Sequence, residues 1–291
     1  MKVTGFSFIK NAVQFQYPVA EALQSILPLC DEVVVAVGDS ADGTRDLVAA
    51  IDPQKIRILD TVWDETLREG GRVLAVETDK AFQAIGNDTD WCVYIQGDEV
   101  LHEDSYGEVR QAMQRWKDDA NVDGLLFRYL HFYGSYQYVG TSSNWYRWEI
   151  RIIKNNKGIY SYRDAQGFRK GANEKLRVKP LNAYIYHYGW VREPKAMQAK
   201  YIDFERHWAG ENGSGPTQQV YSGEFDYSKI DALEKFTGRH PVVMQPRIDR
   251  MNWQFEYDLS HNNIKLKDRF KNMIENLTGK RPFDHNNYII V

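Results

Sequence analysis

Residues 31–44 have the sequence DEVVVAVGDSADGT, and this stretch indicates the fold more clearly than any other. Four valines among its five apolar residues, 33–37, are typical of a strand that is buried on both faces in a parallel sheet. A polar loop with glycine at both ends, 38–43, follows the strand directly. Because ligands of open α/β sheets bind at the carboxyl ends of the strands, we expect this loop to lie beside a ligand.

The segments around this stretch alternate between strand and helix patterns. Residues 3–9 and 56–59 predict strands, whereas 18–29 and 44–51 predict helices. This order predicts right-handed βαβ units and a doubly wound, mostly parallel sheet flanked by helices. Further helices are predicted at 70–85, 105–116 and 195–208, further strands at 91–95, 124–132, 150–154 and 184–190, and a loop at 211–223.

The composition of the 291-residue chain excludes several classes of protein. Its net charge is −3 and no basic tract is present, so we expect no binding to nucleic acid. No run of 18 apolar residues predicts a membrane-spanning helix. The two cysteines, Cys30 and Cys92, are isolated from each other, which indicates a reducing compartment. We therefore expect a cytoplasmic protein.

The sharpest local feature is Gln96-Gly97-Asp98-Glu99, which directly follows the apolar strand at 91–95. Carboxylates at the end of a strand can hold a hard divalent cation, and that cation can also bind phosphate oxygens. The alternative is that Asp98 and Glu99 cap the next turn. The tetrapeptide alone leaves both interpretations open.

The loop after the second strand offers several polar side chains. We expect Asp39 to contact a ligand, because a carboxylate at this strand end can accept hydrogen bonds from a base or ribose. We expect Asp42 and Thr44 to cap the helix that follows them.

The order of these motifs resembles family 2 glycosyltransferases of the GT-A fold. That family has a strand ending near Lys-Asn, an apolar strand after Asp-Glu, a loop of the type Asp-x-x-Ser-x-Asp-Gly-Thr, and a strand that begins with Trp and ends in Asp-x-Asp-Glu. The corresponding segments here are Lys10-Asn11, 31–35, 38–44 and 91–99. The resemblance covers roughly residues 1–130 and continues more weakly to about 200.

The resemblance implies a GT-A, or Rossmann-like, domain over residues 1–200. Its nucleotide-sugar half would be about 1–100 and its acceptor half about 101–200. Residues 201–291 would form a mixed helical and irregular C-terminal extension packed on that domain.

The resemblance also implies roles for single residues in a donor site. Asp98 matches the acid that reaches the metal, and Asp39 matches the acid that contacts the base or ribose. Arg72 falls where the family opens a helix near the diphosphate, whose oxygens suit a guanidinium. The expected donor site is completed by Lys10, Asn11 and Gln96.

A late-strand histidine completes the metal or diphosphate site in several relatives, which implies that His187 joins Asp98 around Mn²⁺ or Mg²⁺. Taken alone, a histidine among aromatic residues is more often a hydrogen-bonded core residue. Two departures from the family pattern matter. Gln96 replaces the first acid of the metal motif, and strict spacing places the acid of the nucleotide loop at Gly38, one position before Asp39.

The second half of the chain must supply a base for the acceptor hydroxyl. An inverting transfer needs a carboxylate that takes the proton as the hydroxyl attacks. Asp164 is the first candidate and Glu174 the second. Both carboxylates also have a structural interpretation, because exposed acids are common.

The resemblance therefore implies a metal-dependent enzyme that moves a sugar from a nucleotide-diphosphate donor to a hydroxyl, with inversion, on a glycan or glycolipid acceptor. Surface glycan or polysaccharide synthesis is the expected setting, with at most peripheral contact at the inner face of a membrane. One alternative is a nucleotidyltransferase, although the segment after the first strand lacks the usual glycines. Another is a non-catalytic relative that binds nucleotides or carbohydrates.

Overall fold

The computed structural model describes residues 1–64, 66–67, 69–142, 145–208, 223–260, 269–271, 273–274 and 286–291. The predicted loop at 211–223 lies outside these ranges except for its last residue. Much of the C-terminal extension predicted at 201–291 also lies outside them.

Four parallel strands form the N-terminal half of the sheet. They are β1 (Val3–Ile9), β2 (Glu32–Gly38), β3 (Ile56–Thr61) and β4 (Trp91–Tyr94), in the spatial order β3-β2-β1-β4. Residues 33–37 are at most 2% exposed, as the run of valines predicts. The connecting helices are α1 (Val19–Ile26), α2 (Thr44–Ile51) and α3 (Arg72–Gln83).

The second half continues the same sheet with antiparallel neighbours. Beyond β4 the order is β8 (Trp148–Lys154), β6 (Gly124–Tyr133), β11 (Glu174–Trp190), β10 (Gly167–Lys170) and β9 (Ile159–Tyr162). Strand β4 pairs antiparallel with β8, while β6 and β11 are parallel. The predicted mixed α/β sheet flanked by helices is therefore confirmed.

Short strands complete the sheet at its edges. Strand β5 (Glu99–Leu101) pairs with β11, and β7 (Tyr138–Gly140) pairs with β6. Near the C-terminus, β12 (Leu233–Lys235) pairs with β7 and β13 (Tyr288–Ile290) pairs with β11. Further helices are α4 (Tyr106–Trp116), α5 (Pro194–Trp208) and α6 (Gln245–Asp249).

The hydrophobic core lies on both faces of the sheet. Helices α1 and α4 pack on one face, around Val33, Val35 and Trp91, and the Trp91 indole donates a hydrogen bond to the Met113 carbonyl. Helix α3 packs on the other face through Phe82, whose ring contacts Phe6. This two-sided burial fixes the strands rigidly and leaves their carboxyl ends as the place for a site.

The described helices are all too short or too polar to cross a bilayer. The boundary predicted at residue 200 falls inside α5, and the division of the chain into 1–200 and 201–291 stays a prediction.

Candidate active site

A cavity of about 560 Å³ lies where β1 and β4 end. Six of the predicted site residues line it: Lys10, Asn11, Gln96, Asp98, Asp164 and His187. The lining also includes other aromatic and charged residues: Phe8, Phe15, Tyr17, Trp63, Tyr146, Trp190, Lys200, Tyr201 and Asp203. Residues from distant parts of the chain thus converge on the strand ends that the sequence pattern indicates.

One end of the cavity is formed by Phe8, Lys10 and Trp63. The Lys10 ammonium lies 5.4 Å from the centre of the Trp63 ring and 3.0 Å from an Asp39 carboxylate oxygen. Burial acts to raise the pKa of Asp39, but the Lys10 hydrogen bond and charge outweigh it and lower that pKa. Asp39 itself does not line the cavity, so its link to a ligand would run through Lys10.

The Trp63 indole fills the space beside Gly38, the position at which strict family spacing places an acid. A Cβ atom at Gly38 would lie 2.5 Å from Trp63 Nε1, which is too close for any side chain. The segment that follows β3 therefore places a flat aromatic ring at the position where strict family spacing puts an acidic side chain. Nothing in the sequence near Gly38 signals this, because Trp63 is 25 positions further along the chain.

Asp42 and Thr44 stabilise the nearby loops through hydrogen bonds. Asp42 accepts hydrogen bonds from the backbone N–H groups of Gln14 (2.7 Å) and Thr44 (3.0 Å). The Thr44 hydroxyl accepts one from the N–H of Ala12 (2.7 Å). These bonds tie the loop after β1 to the start of α2, beside Asn11.

Asp98, His187 and Lys200 meet in the middle of the cavity. Asp98 Oδ2 lies 3.8 Å from His187 Nε2 and 3.4 Å from Lys200 Nζ. Burial acts to raise the pKa of Asp98, but Lys200, His187 and Arg192 lower it to about 2, so Asp98 is a carboxylate. Burial and the nearby Arg192 lower the pKa of Lys200 to about 7.

A chain of hydrogen bonds fixes the proton positions on His187. The Tyr146 carbonyl can only accept, so His131 Nε2 carries a proton and donates it across 2.8 Å. His131 Nδ1 then accepts from His187 Nδ1, 3.1 Å away. Burial lowers the pKa of both rings, against the raising effect of the Asp98 charge on His187. When both rings are neutral, His187 Nε2 has a lone pair that faces the Asp98 carboxylate.

This arrangement suits a divalent cation. A lone pair and a carboxylate oxygen repel each other unless a cation or proton lies between them. Metal-bound histidines commonly donate their other ring N–H to a fixed acceptor, as His187 does here. The two predicted ligands, Asp98 and His187, are therefore placed together, and no third protein ligand is assigned.

Glu99 does not contribute to this site, contrary to the expectation that both strand-end carboxylates face a cation. It is fully buried, and its two oxygens accept hydrogen bonds from the Arg151 guanidinium at 2.7 and 2.8 Å. The Tyr129 hydroxyl donates another at 2.8 Å. Glu99 is thus committed to an internal ion pair.

Asp164 lies in the cavity wall on the turn between β9 and β10. Burial raises the pKa of Asp164, against the opposing effect of hydrogen bonds from its own N–H and that of Gln166. A carboxyl group with a raised pKa is suited to take up a proton near neutral pH.

The other predicted base and the predicted arginine lie elsewhere. Glu174 is exposed at the start of β11, thirteen positions before His187, which is roughly 40 Å along a strand at ~3.3 Å per residue. The exposed Arg72 begins α3 and does not line the cavity, although Leu74 of the same helix does. The structure does not bring Glu174 or Arg72 into the cavity.

A second group of potential metal ligands, His102, Glu103 and Asp104, lies away from this cavity. Arg239 pairs with both carboxylates, each at 2.7 Å. The His102 ring accepts a hydrogen bond from the Asp104 N–H and contacts the Arg239 carbonyl. These internal contacts account for the cluster.

Comparison with known proteins gives likenesses of shape only. No protein-family profile and no curated protein sequence matches the chain. Among solved structures, TarS 1–349 of S. aureus in complex with UDP-GlcNAc is 15% identical over 71% of this chain and 66% of that one, with a TM-score of 0.41. Glucosyl-3-phosphoglycerate synthase of Mycobacterium tuberculosis with Mn²⁺, UDP and phosphoglyceric acid is 15% identical, over 45% of this chain and 43% of that one, with a TM-score of 0.30.

A third structure is 4-diphosphocytidyl-2C-methyl-D-erythritol synthase of Anaerococcus prevotii, at 10% identity, a TM-score of 0.32, and coverage of 53% of this chain and 71% of that one. The chain spans 65% of the length of the TarS 1–349 chain. Structural similarity at these low identities and TM-scores does not assign an activity to the chain. The residues of the cavity must therefore indicate its function.

Proposed function

We propose that the protein is a metal-dependent glycosyltransferase that uses a nucleotide-diphosphate sugar as donor. The observation that carries this proposal is the approach of Asp98 Oδ2 to His187 Nε2, 3.8 Å apart in the cavity. A divalent cation such as Mn²⁺ or Mg²⁺ held by these two residues would neutralise charge on a leaving diphosphate.

Different parts of the cavity wall suit the base, the diphosphate and the sugar of a nucleotide sugar. The Trp63 ring offers a flat face for a base, and Lys10 and Asn11 lie beside it. Lys200 lies near Asp98, where its ammonium group would meet diphosphate oxygens. We therefore place the base beside Trp63, the diphosphate near Lys200, and the sugar towards Asp164.

Asp164 is the proposed general base. It belongs to the cavity wall, whereas Glu174 lies far along β11, so the structure favours the first of the two candidates. Its role would be to take the proton from the acceptor hydroxyl as that hydroxyl attacks the anomeric carbon, with inversion. Tyr146 and Trp190 are lining residues that would contact the acceptor.

A glycan or glycolipid acceptor, a role in surface glycan or polysaccharide synthesis, and peripheral contact with a membrane are further parts of the proposal. They follow from the resemblance of the sequence motifs to family 2 glycosyltransferases. The alternative of a non-catalytic relative that binds nucleotides or carbohydrates predicts nucleotide binding without turnover.

The experiment is release of nucleoside diphosphate from UDP-, GDP-, dTDP- and CDP-glucose, each with MnCl₂ or with EDTA and with water as acceptor. We expect turnover of one donor that requires the metal. Asp164→Asn should lower it ~100-fold or more, the usual contribution of a general base. Because the pKa of Asp164 is raised and the base works when ionised, turnover should fall as the pH decreases through that pKa. A cation-independent rate, or an unchanged rate in Asp164→Asn, would contradict the proposal.

A further inference from the structure

The turn that carries Asp164 has an unusual backbone. The residues on both sides of Asp164, Arg163 and Ala165, have positive φ values of 56° and 64°. Side chains rarely tolerate this left-handed region, and such a backbone persists only where its surroundings hold it in place. Asp164 therefore depends on contacts made by its neighbours for its position in the cavity.

Gln96 supplies the central contact. Its amide nitrogen donates hydrogen bonds to the Ala165 carbonyl and to the Tyr94 hydroxyl, both at 3.1 Å. The Tyr94 hydroxyl also contacts the Ala165 carbonyl, at 3.3 Å. Strand β4 and the residues that follow it thus hold the turn at the carbonyl next to Asp164.

Strand β8 holds the other side of the same turn. The buried Arg151 donates a hydrogen bond to the Gln166 carbonyl at 2.9 Å, while its other nitrogens bind Glu99. The Gln166 side chain donates to Glu149 at 3.0 Å. The turn is therefore fixed to β8 through Gln166 and to β4 and the residues after it through Ala165.

We propose that Gln96 is a positioning residue that holds the Asp164 turn, rather than a ligand of the cation or the donor. The importance of this position for catalysis rests on the proposed role of Asp164. The hydrogen bonds themselves explain why an amide stands at residue 96. Both of its hydrogens meet acceptors, and a carboxylate has no hydrogen to donate to the Ala165 carbonyl.

The backbone of residue 96 is held in place as well. The Gln96 backbone N–H donates a hydrogen bond to Glu99 Oε2 at 3.2 Å, and Glu99 is paired with the buried Arg151. The segment that carries the Gln96 amide is thus fixed independently of the Asp164 turn.

The test is Gln96→Glu, which preserves shape but removes the donor. Two properties of the full chain are compared: amide hydrogen exchange in residues 163–166, and affinity for Mn²⁺. We expect exchange in this turn to become at least fivefold faster, while Mn²⁺ affinity does not increase. The matched control is Gln83→Glu, because the exposed Gln83 amide also donates to a backbone carbonyl, that of Lys157, outside the cavity.

Gln83→Glu should leave exchange at 163–166 unchanged. Unchanged exchange in Gln96→Glu would overturn the proposal, and so would Mn²⁺ binding that becomes tenfold tighter, as expected for a ligand changed from amide to carboxylate. Tyr94→Phe is the second variant if Gln96→Glu does not fold, and it should also accelerate exchange in this turn. If the wild-type protein binds neither Mn²⁺ nor any of UDP, GDP, dTDP and CDP, the proposed function fails, whereas the exchange comparison still decides the role of Gln96.

Discussion

Trp63 is the residue at which the structure differs most from the donor site predicted from the sequence. The resemblance implies an acid near the end of β2 that contacts the base or ribose. The structure has Gly38 at the strictly spaced position and the Trp63 indole in the space beside it. Asp39 is tied to Lys10 and does not line the cavity. A stacking contact from Trp63 thus replaces the expected acid in our account.

Replacing Trp63 with Ala tests this contact. Base stacking on an aromatic side chain contributes ~1–3 kcal/mol, so the nucleoside diphosphate of the donor should bind roughly five- to 150-fold more weakly in Trp63→Ala. Isothermal titration calorimetry with MnCl₂ present measures the change. Trp116→Ala is the control, because that indole lies at the end of α4 outside the cavity. Equal affinities of wild-type protein and Trp63→Ala would exclude a stacking role.

Sequence could indicate some of the site residues because each belongs to a local pattern. Asp98 and Gln96 directly follow a buried strand, and Lys10 and Asn11 follow another, so their place at the strand ends is expected. His131 and Trp63 have no such signal. Their roles come from contacts with residues 15 to 56 positions away, such as the His131–His187 hydrogen bond, which no local pattern contains.

At the scale of elements, the buried Glu99–Arg151 pair joins the start of β5 to β8. The Tyr129 hydroxyl of β6 binds the same carboxylate, so three strands share one polar centre. These contacts hold Glu99 in place and thereby fix the segment 96–99, which contains Asp98. The pair therefore stabilises the fold at the point where the candidate site is built.

Breaking this pair should destabilise the whole domain. Removing one partner of a buried ion pair costs ~3–5 kcal/mol, and we expect Glu99→Gln to lower the free energy of unfolding by that amount. Urea denaturation followed by fluorescence measures it. The control is Glu32→Gln, whose ion pair with Arg57 is partly exposed and should contribute about 0–1 kcal/mol. A loss below 1 kcal/mol in Glu99→Gln would show that the pair contributes little.

Most of the predicted elements follow their sequence patterns closely, including α4, β6 and α5, whereas β11 does not. Strand β1 and helix α2 have the predicted bounds, because apolar alternation and helical spacing are local signals. Strand β11 is 17 residues long, but only 184–190 indicated a strand. Its first part contains charged residues and Pro180, and it becomes a strand by pairing with β6, β10 and β13. Tertiary pairing of this kind leaves no local pattern.

At the scale of the whole molecule, our central claim is that the strand ends form a cation-dependent nucleotide site around Asp98. The doubly buried sheet supplies a rigid base for it. The buried cations Arg192 and Lys200 next to Asp98 compensate its charge in the protein alone, and Lys200 would be free to meet the diphosphate when a cation binds Asp98.

The most direct measurement is calorimetric titration of UDP, GDP, dTDP and CDP into the wild-type chain, Asp98→Asn and Asp104→Asn, each with and without MnCl₂. Asp104 belongs to the acidic cluster outside the cavity and is the control. We predict that one of these nucleotides binds the wild-type chain and Asp104→Asn only with Mn²⁺, and that Asp98→Asn weakens this binding at least tenfold, or by about 1.4 kcal/mol. Nucleotide binding that is independent of Mn²⁺, or equally strong in Asp98→Asn, would contradict this claim.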